Sequence, residues 1–209
     1  MQKYIFGTRN NVEVFNLELT SARLSVAKEF IKALGKEGQT VLWVGTKAPA
    51  KRHVESVGKK LNMPYVSGRW LGGTLTNFKI FEQRLSYWKQ LEDGMKKGQF
   101  EDYSKKERLL KSVELKKLDR TFGGLRTFTA LPSAIVIVDT STEKTALAEA
   151  KIKNIPVVAL INVNSNPEDA LYPIPANDSA SSTIALVLNE LASAYEEGFA
   201  EKKSVANNN

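Results

Sequence analysis

The sequence predicts an α/β fold: an open parallel sheet of about five strands with helices on both faces. Three observations lead there. Runs at 40–45, 134–139 and 155–161 are apolar and rich in β-branched residues, as strands buried on both faces are. Segments of helical period alternate with them. One long interval, 79–120, has no strand signal and a helical spacing of its own.

Taken in order, Val12-Glu-Val-Phe15 alternates like a half-exposed strand. Residues 19–34 place Leu24, Ala27, Ile31 and Leu34 on one helical face. Thr40-Val-Leu-Trp-Val-Gly45 is the first core strand. A helix follows over 48–61, with Val54, Val57 and Leu61 on one side, and 64–66 is a second short strand. In 79–120, Phe78, Phe81, Leu85, Trp88 and Leu91 recur at three- and four-residue spacing. A turn near 94–98 precedes a second helix carrying Leu110, Val113 and Leu118. The pair reads as a helical hairpin or small coiled coil whose apolar stripes form the seam between the helices. Residues 134–139 and 155–161 are buried strands. Between them a helix over 142–153 opens on the capping-box pattern Thr140-Ser-Thr-Glu143. Tyr172-Pro-Ile-Pro175 is an edge strand, since two prolines prevent full pairing. Asp178 or Ser179 is expected to cap the last helix. The expected organisation is an α/β domain over 1–77 and 121–200, an inserted coiled-coil hairpin over 78–120, and a disordered tail over 201–209.

The chain has 209 residues, enough for one sizeable core, and no cysteine, which excludes disulfides and thiolate chemistry. Its apolar runs are too short to cross a bilayer, and the first eleven residues lack an apolar signal core. The expected location is the cytosol or an organelle matrix. Net charge is +7, unevenly spread. Residues 1–128 hold 25 Lys/Arg and 13 Asp/Glu, whereas 129–209 hold 5 and 10. Such asymmetry points to a polyanion partner for the first part.

The strand ends show no catalytic set. Gly45-Thr46-Lys47 leads into a helix, but neither dinucleotide nor P-loop spacing is present. Asp139 ends a core strand, and a hydrogen-bonding role in its loop is expected of it rather than metal binding. His53 is the only histidine, and no serine has a nucleophile-elbow setting. The nucleic-acid reading has more material. Lys47, Lys51 and Arg52 share one βα unit, and Arg69 and Trp70 follow the next strand. If those strands adjoin, the two loops lie side by side, with cations for phosphates and the Gly72-Gly73 pair for close backbone approach. Trp70 either stacks on RNA or anchors the loop in the core. The competing reading is an enzyme or nucleotide-binding module using Lys47, Gly72-Gly73 and Asp139.

Several motifs occur in one order: Tyr4-Ile-Phe-Gly-Thr-Arg-Asn10, Val44-Gly-Thr-Lys47, Met63-Pro-Tyr65, Arg69-Trp-Leu-Gly-Gly73, Leu75-Thr-Asn-Phe78, Leu131-Pro132, Val138-Asp139, Ile155-Pro-Val-Val158 and Tyr172-Pro-Ile-Pro-Ala-Asn-Asp178. Together they resemble the bacterial-type small-subunit ribosomal protein S-two family over nearly the whole chain. The resemblance implies a flavodoxin-like sheet, an inserted coiled-coil hairpin, no catalysis and no cofactor or metal. It implies binding of 16S-type ribosomal RNA on the solvent side, near the head–body junction of the small subunit. It also implies contact with neighbouring ribosomal proteins, including the messenger-binding protein S-one, and no small-molecule substrate, membrane or homo-oligomer. The expected RNA-binding set is Arg9, Lys47, Lys51, Arg52, Arg69, Trp70, Gly72, Gly73, Thr74, Asn77, Lys96, Lys97, Lys105 and Lys106. Departures from the family include Asn162 and Asn166 in place of aspartates, Ser165 in place of cysteine and Ala176 in place of glycine. An amino-terminal segment with a Phe-Gly-His sequence is usual before the Tyr4 motif; any RNA contact or metal binding it carries is expected to be absent here or to lie outside the given sequence.

Overall fold

The computed structural model describes residues 1–10 and 12–207. A five-stranded parallel sheet runs through its centre, made of β3 (Val41–Val44), β4 (Tyr65–Val66), β5 (Ala134–Val138), β6 (Val157–Ile161) and β7 (Tyr172–Pro175). In space the order is β4-β3-β5-β6-β7, which is 2-1-3-4-5 in chain order. That is the flavodoxin-like arrangement, with its switch point between β3 and β5. As expected, the proline-bearing β7 lies at an edge, where its missing amide hydrogens cost least.

Successive strand residues point to opposite faces, so each strand feeds two cores. Val41, Trp43, Val136, Val138, Val158 and Leu160 face a layer made by α1 (Leu17–Glu37), α2 (Ala48–Leu61) and α6 (Ser181–Asn207). Leu42, Val44, Ile135, Ile137, Ala159 and Ile161 face α3 (Phe78–Lys96) and α5 (Lys144–Ile152). The helix over 48–61 matches its expected bounds, and the 19–34 stripe buries Ala27, Ile31 and Leu34. Ahead of the sheet, β1 (Ile5–Arg9) and β2 (Val12–Phe15) form an antiparallel hairpin. β1 has no alternating pattern to announce it, because Gly7, Thr8 and Arg9 are neither apolar nor buried.

The interval 79–120 forms two helices, α3 and α4 (Lys105–Phe122), that lie against each other. Phe81, Leu85, Trp88 and Leu91 are buried, as their spacing predicts, but they pack into the core below the sheet. Phe122 and Phe128 meet Phe81 with ring centroids 5.4 and 6.0 Å apart, rooting the pair. The expected stripe on α4 does not form a seam. Leu110 and Val113 are 59% and 56% exposed, while Leu115, Leu118 and Phe122 reach the core. Polar contacts link the helices higher up, with Tyr87 Oη donating to Glu114 at 2.9 Å.

Three other expectations are corrected. No capping box opens α5, because Glu143 turns its carboxylate to Thr46. Ahead of α6, Asn177, not Asp178 or Ser179, accepts from the Ser179 and Ala180 amides. Of the expected tail, 201–207 extend α6, and 208–209 lie outside the described residues.

Helices α1 and α6 pack closely because each has a glycine at the contact. A Cβ on Gly35 would press on the Tyr195 carbonyl oxygen and come within 3.1 Å of the Phe199 nitrogen. One on Gly198 would meet the Lys32 carbonyl oxygen and stand 2.9 Å from the Lys36 nitrogen. In an exposed helix Gly→Ala stabilises by about 1 kcal/mol. Here Gly35→Ala and Gly198→Ala should each destabilise by about 1–3 kcal/mol, since backbone cannot move aside as a side chain can. Urea unfolding checks the sign.

Candidate nucleic-acid interface

The loop between β4 and α3 carries the Arg69-Trp-Leu-Gly-Gly73 sequence, and one buried carboxylate organises it. Glu149 lies on the inward stripe of α5 beside Ala146 and Ala150. Its Oε1 accepts from Trp70 Nε1 at 3.0 Å and Gly73 N at 2.8 Å. Its Oε2 accepts from Leu75 N at 2.9 Å, Thr76 N at 3.0 Å and Thr76 Oγ1 at 3.1 Å. Burial pushes this carboxyl up, but the Trp70 indole and the Thr76, Leu75 and Gly73 amides outweigh it and hold the group below its ordinary value. Gly73 has φ +91°, a conformation that turns its amide inward and that other residues rarely adopt.

This placement decides Trp70. Its ring is buried, 8% exposed, and its N–H is committed to Glu149. It anchors the loop and offers no face for stacking, so it leaves the RNA-binding set. Thr74 leaves for the same reason, since it is buried and donates to the Leu71 carbonyl at 2.6 Å.

The adjoining crevice at the β3/β5 switch point is filled by the protein's own polar groups. Lys47 Nζ donates to Asp178 Oδ1 at 2.9 Å, Asp139 Oδ2 at 3.2 Å and Ser179 Oγ at 3.2 Å. Asp139 also accepts from the Ser141 and Thr142 amides and hydroxyls, the loop role expected of it. Burial acts against its charge, but these bonds and the Lys47 ammonium hold its pKa at about 2. Glu143 accepts from Thr46 N at 2.8 Å, and burial pushes its carboxyl above the ordinary range. Lys47 is therefore a structural cation, not a free phosphate ligand.

Strands β3 and β4 do adjoin, so the two βα loops lie side by side. Arg69, Gly72 and Asn77 remain on the exposed side of the loop. Lys51 and Gly68 line an open cleft of about 500 Å³ together with Arg120, from the end of α4. Lys51, Arg52, Arg69 and Arg120 have no ion-pair partner among the described residues. Arg126 also lines the cleft but is spent on Glu92, at 2.7 and 3.1 Å, and lies over the Trp88 ring. Gly72, Gly73 and Asn77 border a smaller pocket of about 220 Å³ with Arg84.

Lys96, Lys97, Lys105 and Lys106 are exposed at the far end of the helix pair, about 27 Å along α3 from its root. Lys96 pairs with Glu92 at 3.0 Å. Arg9 ends β1, whose hairpin meets Asn162, Val163 and Asn177 at the β6–β7 end of the sheet. Neither group joins the cluster beside β4.

Comparison with known proteins gives the family of the chain. The family model for ribosomal protein S2 matches residues 1–198. This chain belongs to the ribosomal protein S2 family. It is 43% identical over 198 residues to the small ribosomal subunit protein uS2 of Rhodococcus opacus, covering 95% of this chain and 69% of that one. Against the uS2 protein of Rhodococcus erythropolis the identity is 44%, over 95% and 70% of the two chains. The uS2 protein of Saccharophagus degradans is 39% identical over 99% of this chain and 84% of its own length. Residues 69–73, among the motifs on which the resemblance rests, lie in the loop held by Glu149. Glu149, Arg84 and Arg120 were missing from the sequence reading. Only Glu149 leaves a sequence signal, a carboxylate on an otherwise apolar helix stripe.

The two buried glutamates should respond oppositely to loss of charge. Glu149→Gln replaces an acceptor of five bonds with a group that must point an NH₂ at donors, and should destabilise by about 2–4 kcal/mol. Glu143→Gln keeps an acceptor for Thr46 and removes a charge that burial disfavours, so at neutral pH it should be neutral or slightly stabilising. Thermal unfolding of both variants checks this. Asp139 has a folded pKa of about 2, below its unfolded value of about 3.9. Its contribution is therefore full above about pH 4 and lost as pH falls towards 2. Asp139→Asn should flatten the loss of melting temperature across that window.

Proposed function

We propose that this chain is a structural component of the small ribosomal subunit and that it binds 16S-type ribosomal RNA through the surface beside β4. The observation that carries the RNA reading is a cleft lined by unpaired Lys51 and Arg120 and by Gly68, next in sequence to exposed Arg69, in a member of a ribosomal protein family. Arg52 adds a further exposed cation on α2. Guanidinium and ammonium groups neutralise phosphates, and exposed Gly68 and Gly72 let an RNA backbone come close.

The α3–α4 pair serves in this reading as a coiled-coil arm. Its basic tip, with Lys96, Lys97, Lys105 and Lys106, gives a second RNA contact remote from the first. A position near the head–body junction on the solvent side, and recruitment of S-one, follow from the family resemblance. Exposed Phe6, Val12 and Val14 on the hairpin supply an apolar surface of the kind protein neighbours cover. The crevice, filled by Lys47, Asp139 and Asp178, supports a structural role over an enzymatic one.

Lys51→Ala and Arg120→Ala should each weaken RNA binding and reduce the slope of log affinity against log salt by roughly 0.7–1, the signature of one lost phosphate contact. Lys47→Ala should instead destabilise the fold by about 3 kcal/mol by leaving two buried carboxylates uncompensated, with the salt slope unchanged. Filter binding across a salt series, with co-sedimentation on small subunits, separates the two. A slope unmoved by Lys51→Ala and Arg120→Ala would place the interface elsewhere.

A further inference from the structure

Helix α4 turns Leu115, Leu118 and Phe122 inward and leaves its opposite side bare. At 3.6 residues per turn, Lys106, Leu109, Leu110, Val113, Lys116 and Lys117 fall on one face, within an arc of about 120°. All of them are exposed. Leu109 is 63% exposed, as open as Leu110 and Val113 beside it. Apolar side chains scattered singly on a surface need no explanation, but these adjoin and make a patch.

Along that face the charge has one sign. Lys106 lies one turn before Leu110, and Lys117 one turn after Val113. Lys106, Lys116 and Lys117 have no ion-pair partner among the described residues. The carboxylates of α4 lie on its other sides and are already engaged. Glu107 accepts from Ser104 at the cap, Glu114 from Tyr87 and Lys111, and Asp119 from Arg126.

The pattern selects the occupant. Phosphates would neutralise the lysines but gain nothing from aliphatic side chains, and the face has no aromatic ring on which a base could stack. A bilayer surface takes a longer apolar stripe than the single turn present here. A second copy of this chain fails on charge. Antiparallel α4 faces set Lys106 against Lys116 and Lys117, and parallel ones set each lysine against itself. A helix with apolar residues at its centre and Asp or Glu one turn to either side answers both features. Laid along 106–117, such a helix is in contact over about 17 Å. We propose that the outward face of α4 docks an acidic amphipathic helix of another protein. Leu109, Leu110 and Val113 meet its apolar side, and Lys106, Lys116 and Lys117 meet its carboxylates. The interface goes beyond the RNA reading and stands without it; only Lys106 borders the basic tip.

The test is an amide NMR titration of the full chain with a synthetic helical peptide of about 15 residues. It carries leucines at i, i+3 and i+4 and glutamates one turn to either side. Two control peptides replace the glutamates with lysines or the leucines with glutamines, and a short single-stranded RNA is the fourth probe. The Leu109, Leu110 and Val113 amides should shift to saturation with the acidic peptide. Each control peptide should bind at least about tenfold more weakly. Leu110→Gln should weaken the acidic peptide by about tenfold. Lys116→Glu combined with Lys117→Glu should weaken it likewise and strengthen binding of the lysine peptide. These positions are exposed, so the melting temperature should stay within about 2 °C of wild type. No saturable shift at these amides, equal affinity for the acidic and lysine peptides, or RNA binding there more tightly than the acidic peptide would overturn the proposal.

Discussion

The carboxylate of Glu149 sets the pose of the loop between β4 and α3, and much of the molecule's outer face follows from it. Five donors converge on two oxygens, and hydrogen bonds to an ionised acceptor are stronger than neutral ones. The acceptor sits on α5, next to β5 and β6, while the loop leaves the edge strand β4. The bond set therefore ties the sheet edge to the helix layer under its centre. Trp70 and Leu75 are drawn inward, which leaves Arg69, Gly72 and Asn77 outside. The same tie positions Asn77 at the start of α3, so the helix pair departs from a fixed base rather than a loose linker.

A second network does for the crevice what Glu149 does for the loop. In doubly wound sheets the strand ends around the switch point are where ligands bind. Here Lys47 lies between Asp139 and Asp178, and Asn162 Nδ2 donates to Asp178 at 2.9 Å. Each buried charge has a partner, as burial demands. The groups that could hold a phosphate at that point are already saturated.

The parts of the fold legible in the sequence were those written in periodicity. Buried parallel strands show as unbroken apolar runs, and α2 and the α3 stripe show their spacing, because a single face decides each. The unread parts depend on partners distant in sequence. The α4 stripe is apolar but half of it stays exposed, since burial rests on where α3 carries the pair and not on the stripe itself. The site follows the same rule. Lys47 and Lys51 look alike as basic residues of one βα unit, yet one is enclosed by carboxylates 92 and 131 positions away and the other is free. Trp70 beside Arg69 has the composition of a stacking surface, and only Glu149, 79 positions on, shows that the indole points inward.

The sorting of side chains into spent and free constrains what the proposed RNA contact can read. Sequence-specific recognition of RNA relies on splayed bases stacked on aromatic rings and bonded along their edges. In the loop the one large aromatic is buried, and the inward amides are taken by Glu149. What remains outside is guanidinium, ammonium, glycine backbone and one amide side chain, all suited to phosphate and sugar. A surface of that composition on a rigid base recognises the spacing of phosphates along a folded backbone. Its specificity must then come from the shape of the RNA. That requires the loop to hold its geometry before contact, and the buried carboxylate meets that requirement.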